Sequence, residues 1–187
     1  MKFIVARYNE DISWTNQYEN VIIYNKGNPL GLPNEKILPN VGREGHTYYT
    51  HIVRNYDNLD DFNVFLQGNP YDHSPNLDNS IKRRRNLPLE WLSKKVLFST
   101  LTYEFRRRPQ CVNIFKSYFT IFGEIPKKQS IEYGSGAQFI VSKESILSRP
   151  VSFYQKIVDL LSYDINPLEG HDVERFHKLI FCNKNIC

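Results

Sequence analysis

Three short polar tracts hold the side chains best suited to gripping an anionic ligand. The first, residues 7–11, supplies Arg7, Tyr8, Asn9 and Glu10, and the second supplies Asn25 and Lys26 before Gly27. The third, residues 67–72, carries Gln67, Gly68, Asn69 and Asp72, with His73 next to it. Guanidinium and ammonium groups offset phosphate charge, while amides and carboxylates fix the polar edges of a ligand. Arg43, near the expected start of a helix, is a third cation in a good position for such work. The ordinary alternative for each charge is a solvated surface, and for Asn9 and Glu10 it is turn chemistry. Other chemistries lack their signatures. The chain has no Gly-x-Ser-x-Gly elbow, no His-Glu-x-x-His pair and no phosphate-binding P-loop. His46 and His51 are five apart and do not share a helix face, which argues against a metal pair.

Each tract follows an apolar run that reads as a buried strand. These runs are Phe3-Ile4-Val5-Ala6, Val21-Ile22-Ile23-Tyr24 and Phe62-Asn63-Val64-Phe65-Leu66. Residues 12–18 have room for a short helix, giving a β-α-β opening. Residues 28–41 hold Pro29, Gly31, Pro33 and Pro39 and read as a loop. A helix over residues 43–56 would bury Tyr48, Tyr49, Ile52, Val53 and Tyr56 on one face. Residues 70–130 read as irregular, with basic runs at residues 82–85 and 106–108, a segment carrying Trp91, Leu92, Val96 and Leu97, and a helix near residues 112–122. A strand follows over residues 136–141, then a short helix capped by Ser142. Two more helices carry Phe153, Ile157, Leu160 and Leu161, and Val173, Phe176, Leu179 and Ile180. The sum is an α/β protein, one mainly parallel sheet flanked by helices. In such folds ligands sit beyond the carboxyl ends of the strands, where all three polar tracts lie.

Bulk properties agree with a folded domain spanning residues 1–187, or one domain of a longer protein. With 187 residues and 41% hydrophobic side chains, the chain can build a core, so disorder is excluded. A net charge of +4 suits an anionic ligand such as a nucleotide diphosphate and falls short of a dedicated nucleic-acid binder. No apolar run approaches the roughly 20 residues of a membrane span. Cys111, Cys182 and Cys187 are odd in number and lack metal-ligand spacing, which points to free thiols and a reducing, cytoplasmic setting.

The order of features resembles the GT-A class of nucleotide-sugar glycosyltransferases. The residues that carry the likeness are Ala6-Arg7-Tyr8-Asn9-Glu10, Tyr24-Asn25-Lys26-Gly27, Asn40-Val41-Gly42-Arg43, and Val64-Phe65-Leu66-Gln67-Gly68-Asn69. A glycine-rich strand at residues 134–142 and an acidic segment with Glu169, Asp172 and Glu174 complete it. The chain is also similar to a family of short proteins known only as a domain of unknown function, through Val41-Gly42-Arg43-Glu44-Gly45-His46-Thr47-Tyr48 and Phe65-Leu66-Gln67-Gly68-Asn69-Pro70-Tyr71-Asp72-His73. Virus-encoded GT-A domains are of similar size.

The glycosyltransferase likeness implies transfer of a sugar from a nucleotide-diphosphate donor to a glycan or glycoprotein hydroxyl. Arg7, Tyr8, Asn9, Glu10, Tyr24, Asn25, Lys26, Arg43, Gln67, Gly68 and Asn69 would contact the donor. Asp172, with Glu174 and Glu169 behind it, would be the base that takes the acceptor proton. The class binds Mn²⁺ or Mg²⁺ through Asp-x-Asp, but Gln67-Gly68-Asn69 stands in that place. Asp72, Asp78 and His73 are then the candidate ligands, and without a metal the arginines and lysines would have to offset the pyrophosphate charge. Two other readings are a non-catalytic nucleotide-sugar or carbohydrate-binding module and a basic nucleic-acid-interacting domain.

Overall fold

The computed structural model describes residues 1–86, 98–102, 105–108, 114–125 and 131–182. Trp91, Leu92, Val96, Leu97, Cys111 and Cys187 lie outside them. Strands β1 (Lys2–Arg7), β2 (Val21–Asn25), β3 (Glu35–Ile37), β4 (Phe62–Gln67), β8 (Phe139–Ser142) and β5 (Phe98–Thr100) form one sheet in the order β3-β2-β1-β4-β8-β5. The first four run parallel, with Phe3 beside Val21 and Val64. β8 runs antiparallel to both β4 and β5. The sheet is therefore mixed, not the mainly parallel one expected. β6 (Phe105–Arg108) and β7 (Ile131–Gly134) form a separate antiparallel ribbon.

Alternation along the strands divides the core between the two faces. Ile4, Phe65, Phe139 and Val141 pack with α1 (Arg43–Arg54), α5 (Val151–Leu161) and α6 (Leu168–Phe181). Phe3, Val64, Leu66 and Ile140 face the other way, onto Leu77 and Ile81 of α2 (Leu77–Arg85). Helix α1 forms where expected because Tyr48, Tyr49 and Ile52 share its buried stripe, and it rests on α5 and β1. α3 (Phe115–Phe122) and α4 (Lys143–Leu147) complete the order, and Ser142 Oγ caps α4 by accepting from Ser145 N at 3.1 Å.

Several elements differ from expectation. The proline-rich loop contains β3, a three-residue edge strand whose short ladder tolerates the flanking prolines. The helix expected over residues 12–18 is a 3-10 turn, Ser13–Gln17. The supposedly irregular middle contains α2, whose last turn is the basic run Lys82-Arg83-Arg84-Arg85, favourably placed against the helix dipole. The glycine-rich strand starts later than expected, at Phe139, because Gly136 and Ala137 both adopt left-handed backbone, with φ of 88° and 51°.

The connections fix where a ligand can sit. From β1 the chain moves outward through β2 and β3, then returns to place β4 on the other side of β1. That reversal leaves a crevice beyond the carboxyl ends of β1 and β4, the usual binding position in open α/β sheets.

Candidate functional site

At the ends of β1 and β2, one arginine ties the two tails together. Arg7 is 7% exposed; its Nε donates to Glu10 O at 3.0 Å and its Nη1 to Asn25 Oδ1 at 2.8 Å. The same Nη1 reaches the carbonyls of Tyr8 and Asn28. Asn25, fully buried, spends its own amide on Asn28 O and Glu35 Oε1. Glu35 also accepts from the amides of Leu30 and Gly31, and these bonds hold its pKa below the usual carboxylate value. The tails approach so closely that a Cβ on Gly27 would lie 1.6 Å from Tyr8 O. Only glycine fits there.

The start of α1 forms the facing wall. Gly42 and Arg43 both adopt left-handed backbone, at φ 63° and 51°. Their amides donate to Asp164 O at 2.8 Å and Ile165 O at 3.3 Å, which docks the α5–α6 loop on the helix start. Arg43 Nη1 lies 2.9 Å from His171 Nε2 and 3.4 Å from Asn166 Oδ1. Lys26 Nζ donates to Val41 O and Arg43 O, each at 2.5 Å. Burial brings the Lys26 pKa down to about 8, and Glu44 partly opposes that shift. Beneath it lies His46, which burial, with help from the Lys26 charge, lowers to about 4.

The tail of β4 supplies the floor. Gly68 lets the Glu10 carboxylate lie against the strand end, since a Cβ would meet Glu10 Oε2 at 2.5 Å. That oxygen accepts the amides of Tyr8 and Asn9 at 2.6 and 3.1 Å. Trp14 Nε1 donates to Gly68 O at 2.8 Å from the other side. Between these walls lies a cavity of about 730 Å³. Arg7, Tyr8, Glu10, Lys26, Arg43, Gln67, Gly68, Asn69 and Asp72 line it, together with Ala6, Asn40, Glu44, Thr47, Ile165 and Asn166.

Residues 3–187 match the family model described as "Protein of unknown function (DUF3431)". The chain belongs to that family. No curated protein and no solved structure matches it. The two runs that resemble this kind of family, residues 41–48 and 65–73, form the start of α1 and the end of β4. Each contributes side chains to the cavity wall.

Other expected site residues of this DUF3431 chain have different surroundings. Tyr24 is 3% exposed, and its hydroxyl meets His51 Nδ1 at 3.1 Å, so it belongs to the core and not to a nucleoside contact. Asn9 is exposed but its Oδ1 is spent on the turn, accepting from Asn28 N at 2.9 Å, whereas Asn25 is buried. The acidic segment is tied up. Asp172 is buried, accepts from Ser117 Oγ at 2.7 Å and pairs with Arg175 at 3.1 Å. It bridges α3 and α6 and does not line the cavity, and burial raises its pKa. Glu174 Oε1 accepts from Gly136 N at 2.7 Å, and Glu169 Oε2 accepts from the Tyr163 hydroxyl at 2.5 Å.

The three candidate metal ligands do not come together. Asp72 lines the cavity, whereas the His73 ring packs on Gly136, where a Cβ would lie 2.4 Å from its Cγ. Asp78 accepts from the hydroxyls of Tyr18 and Tyr71 and from Gln17 Nε2 in another part of the surface. Among the described residues, no group of three His, Cys, Asp or Glu side chains is placed to hold a metal. The residues therefore do not fit a protein-built divalent site. Cys182 is disulfide-bonded, not the free thiol expected.

Sequence reasoning missed Glu44, Thr47, Asn166 and His171. Thr47 lies on α1 one turn from Arg43, so it had a helical-spacing signal, and Glu44 directly follows Arg43 in the sequence. Asn166 and His171 had none: only the docking of the α5–α6 loop brings Asn166 to the cavity, and His171 on α6 bears on it through its contact with Arg43. No described helix is long and apolar enough to cross a membrane.

Proposed function

We propose that the cavity receives a nucleotide-diphosphate sugar and that the protein is a glycosyltransferase with a GT-A-like arrangement, acting on a hydroxyl of a glycan or glycoprotein. One observation carries this reading: the tails of β1, β2 and β4 and the start of α1 line one cavity containing Arg7, Lys26 and Arg43. Its size, about 730 Å³, is within the range of cofactor and nucleotide pockets. Its position beyond the β1/β4 reversal is where α/β sheets hold nucleotides.

Transfer breaks the bond between the anomeric carbon and the donor phosphate oxygen, and the electron pair leaves with the diphosphate. Lys26 and Arg43 stand where that growing negative charge would be offset. The acceptor hydroxyl oxygen attacks the anomeric carbon and gives its proton to a carboxylate. Asp72 suits that role better than Asp172. It lines the cavity, is exposed, and has no hydrogen bond or ion pair among the described residues. Tyr8, 51% exposed at the wall, offers an aromatic face for a base or sugar ring.

The test is thermal stabilisation by UDP-, GDP- and dTDP-sugars in the presence of Mn²⁺. A rise in melting temperature with one donor, followed by sugar transfer, is the expected result; no rise with any donor removes the reading. A second reading, a binding module without turnover, is favoured by the internal bonds of Asp172, Glu174 and Glu169. Donor protection with no transfer to any acceptor would select it.

A further inference from the structure

The metal is the point at which this cavity departs from the likeness. Mg²⁺ and Mn²⁺ take oxygen ligands, ordinarily one or two carboxylates plus the substrate phosphates. The strand-end positions expected to provide acids hold the neutral amides of Gln67 and Asn69. Glu10 has turned one oxygen to two backbone amides of its own turn. Glu44 lies 3.7 Å from Arg43 Nε. That leaves Asp72, a single exposed carboxylate.

The opposite wall holds the complementary chemistry. An ammonium has three donors, and Lys26 commits two of them to Val41 O and Arg43 O, so the third remains. Arg43 Nη2 has no partner among the described residues, while Nη1 is steadied by His171 and Asn166. Arg43 also sits in left-handed backbone at φ 51°, an unfavourable state for a non-glycine residue and one that clusters at ligand-binding positions. The decisive atom is Thr47 Oγ1. Thr47 is 0% exposed, lines the cavity, and its hydroxyl has no hydrogen-bond partner. Tyr48, Tyr49 and Thr50 on the same helix also leave buried hydroxyls without partners, but of the four Thr47 alone lines the cavity, where a ligand oxygen could supply the acceptor. It lies one turn into a 12-residue helix whose N-terminal end favours anions.

We propose that Lys26, Arg43 and the Thr47 hydroxyl hold the diphosphate of the donor directly, without a divalent metal. This rests on the donor-binding reading above. The cavity carries three cations against three carboxylates, so geometry and not net charge must do the selecting: Glu10 faces its own turn, Lys26 faces the start of α1, and the Arg43 guanidinium is held from the α5–α6 loop and α6.

Equilibrium dialysis of the full chain with UDP, GDP and CDP, in EDTA and in Mn²⁺, tests the proposal. One diphosphate should bind in EDTA with a Kd within about threefold of its value in Mn²⁺. Thr47→Val, which swaps the hydroxyl for a methyl, should weaken that binding about tenfold while leaving the melting temperature of the free protein unchanged or higher. Arg43→Gln, checked for folding by circular dichroism, should weaken it by at least as much. Binding that appears only with Mn²⁺ overturns the proposal and leaves the donor site standing. Binding of none of the three, with or without Mn²⁺, overturns both. Full affinity in both variants assigns the diphosphate to other residues and also overturns it.

Discussion

Asp72 stands in the cavity wall with its carboxylate uncommitted among the described residues, whereas Asp172 has both oxygens engaged. The two therefore respond differently to substitution. Asp72→Asn keeps size and polarity but removes the basic oxygen, so turnover should fall by about 10² or more, with the melting temperature and donor affinity unchanged. Wild-type turnover in that variant would eliminate Asp72 as the base. Asp172→Ala should instead destabilise the fold by about 1–3 kcal/mol, because the buried Ser117 hydroxyl loses its acceptor. Urea unfolding measures that loss, and a variant of unaltered stability would show that the tie contributes nothing. The sequence marked Asp172 as the base and Asp72 only as a candidate metal ligand. Arg175, three residues on along α6, was a legible partner for Asp172, but Ser117 approaches only after α3 packs on α6, a contact with no local signature. Tyr24 misled for the same reason: its strand-end position is sound, but side chains alternate, and its own face is the buried one.

The elements depend on close backbone approaches that glycines permit. At Gly27 a Cβ would lie 1.6 Å from the carbonyl oxygen of Tyr8, and neither backbone can give way without parting β1 from β2. Gly27→Ala should cost at least about 2 kcal/mol and abolish nucleotide binding together with stability. Gly31→Ala is the control: Gly31 also has positive φ, 71°, but nothing lies within 4 Å of its Cβ position. Its cost should be only about 1–2 kcal/mol of backbone strain, with binding intact. Equal losses in the two variants, read by chemical denaturation, would refute the close-approach argument. The elements most visible in the sequence were those with a full period of apolar residues, β1, β2, β4, α1, α5 and α6. Less visible were those that owe their form to neighbours. β3 exists because β2 offers an edge, and β8 begins late because residues 136–137 must first turn back over His73.

At the scale of the whole molecule, three histidines set a limit on acid stability. His46, His51 and His177 are 6%, 2% and 4% exposed, and burial lowers their pKa values to about 4, 4 and 3. The unfolded chain takes up protons on them near the ordinary value of 6.5, while the native state stays neutral until pH 4 or below. The unfolded state thus binds more protons across this window, so stability rises with pH there and falls on acidification. It is fully present above pH 6.5 and is lost progressively toward pH 4. With all three acting, the slope approaches about 4 kcal/mol per pH unit. The protein should therefore show a steep fall in melting temperature between pH 6.5 and 4.5. His51→Asn and His177→Gln should each reduce that slope by about a third if the variants fold, and the wild-type profile alone decides the matter if they do not. His51 and His177 flank the same aromatic core, the first meeting Tyr24 and Phe65 and the second meeting Tyr49 and Phe139. Their protonation would strike the layer that supports α1 and, through it, the cavity wall. Nucleotide binding should accordingly decline over the same pH range as stability, and binding that persisted unchanged at pH 4.5 would mean that these rings do not support the site.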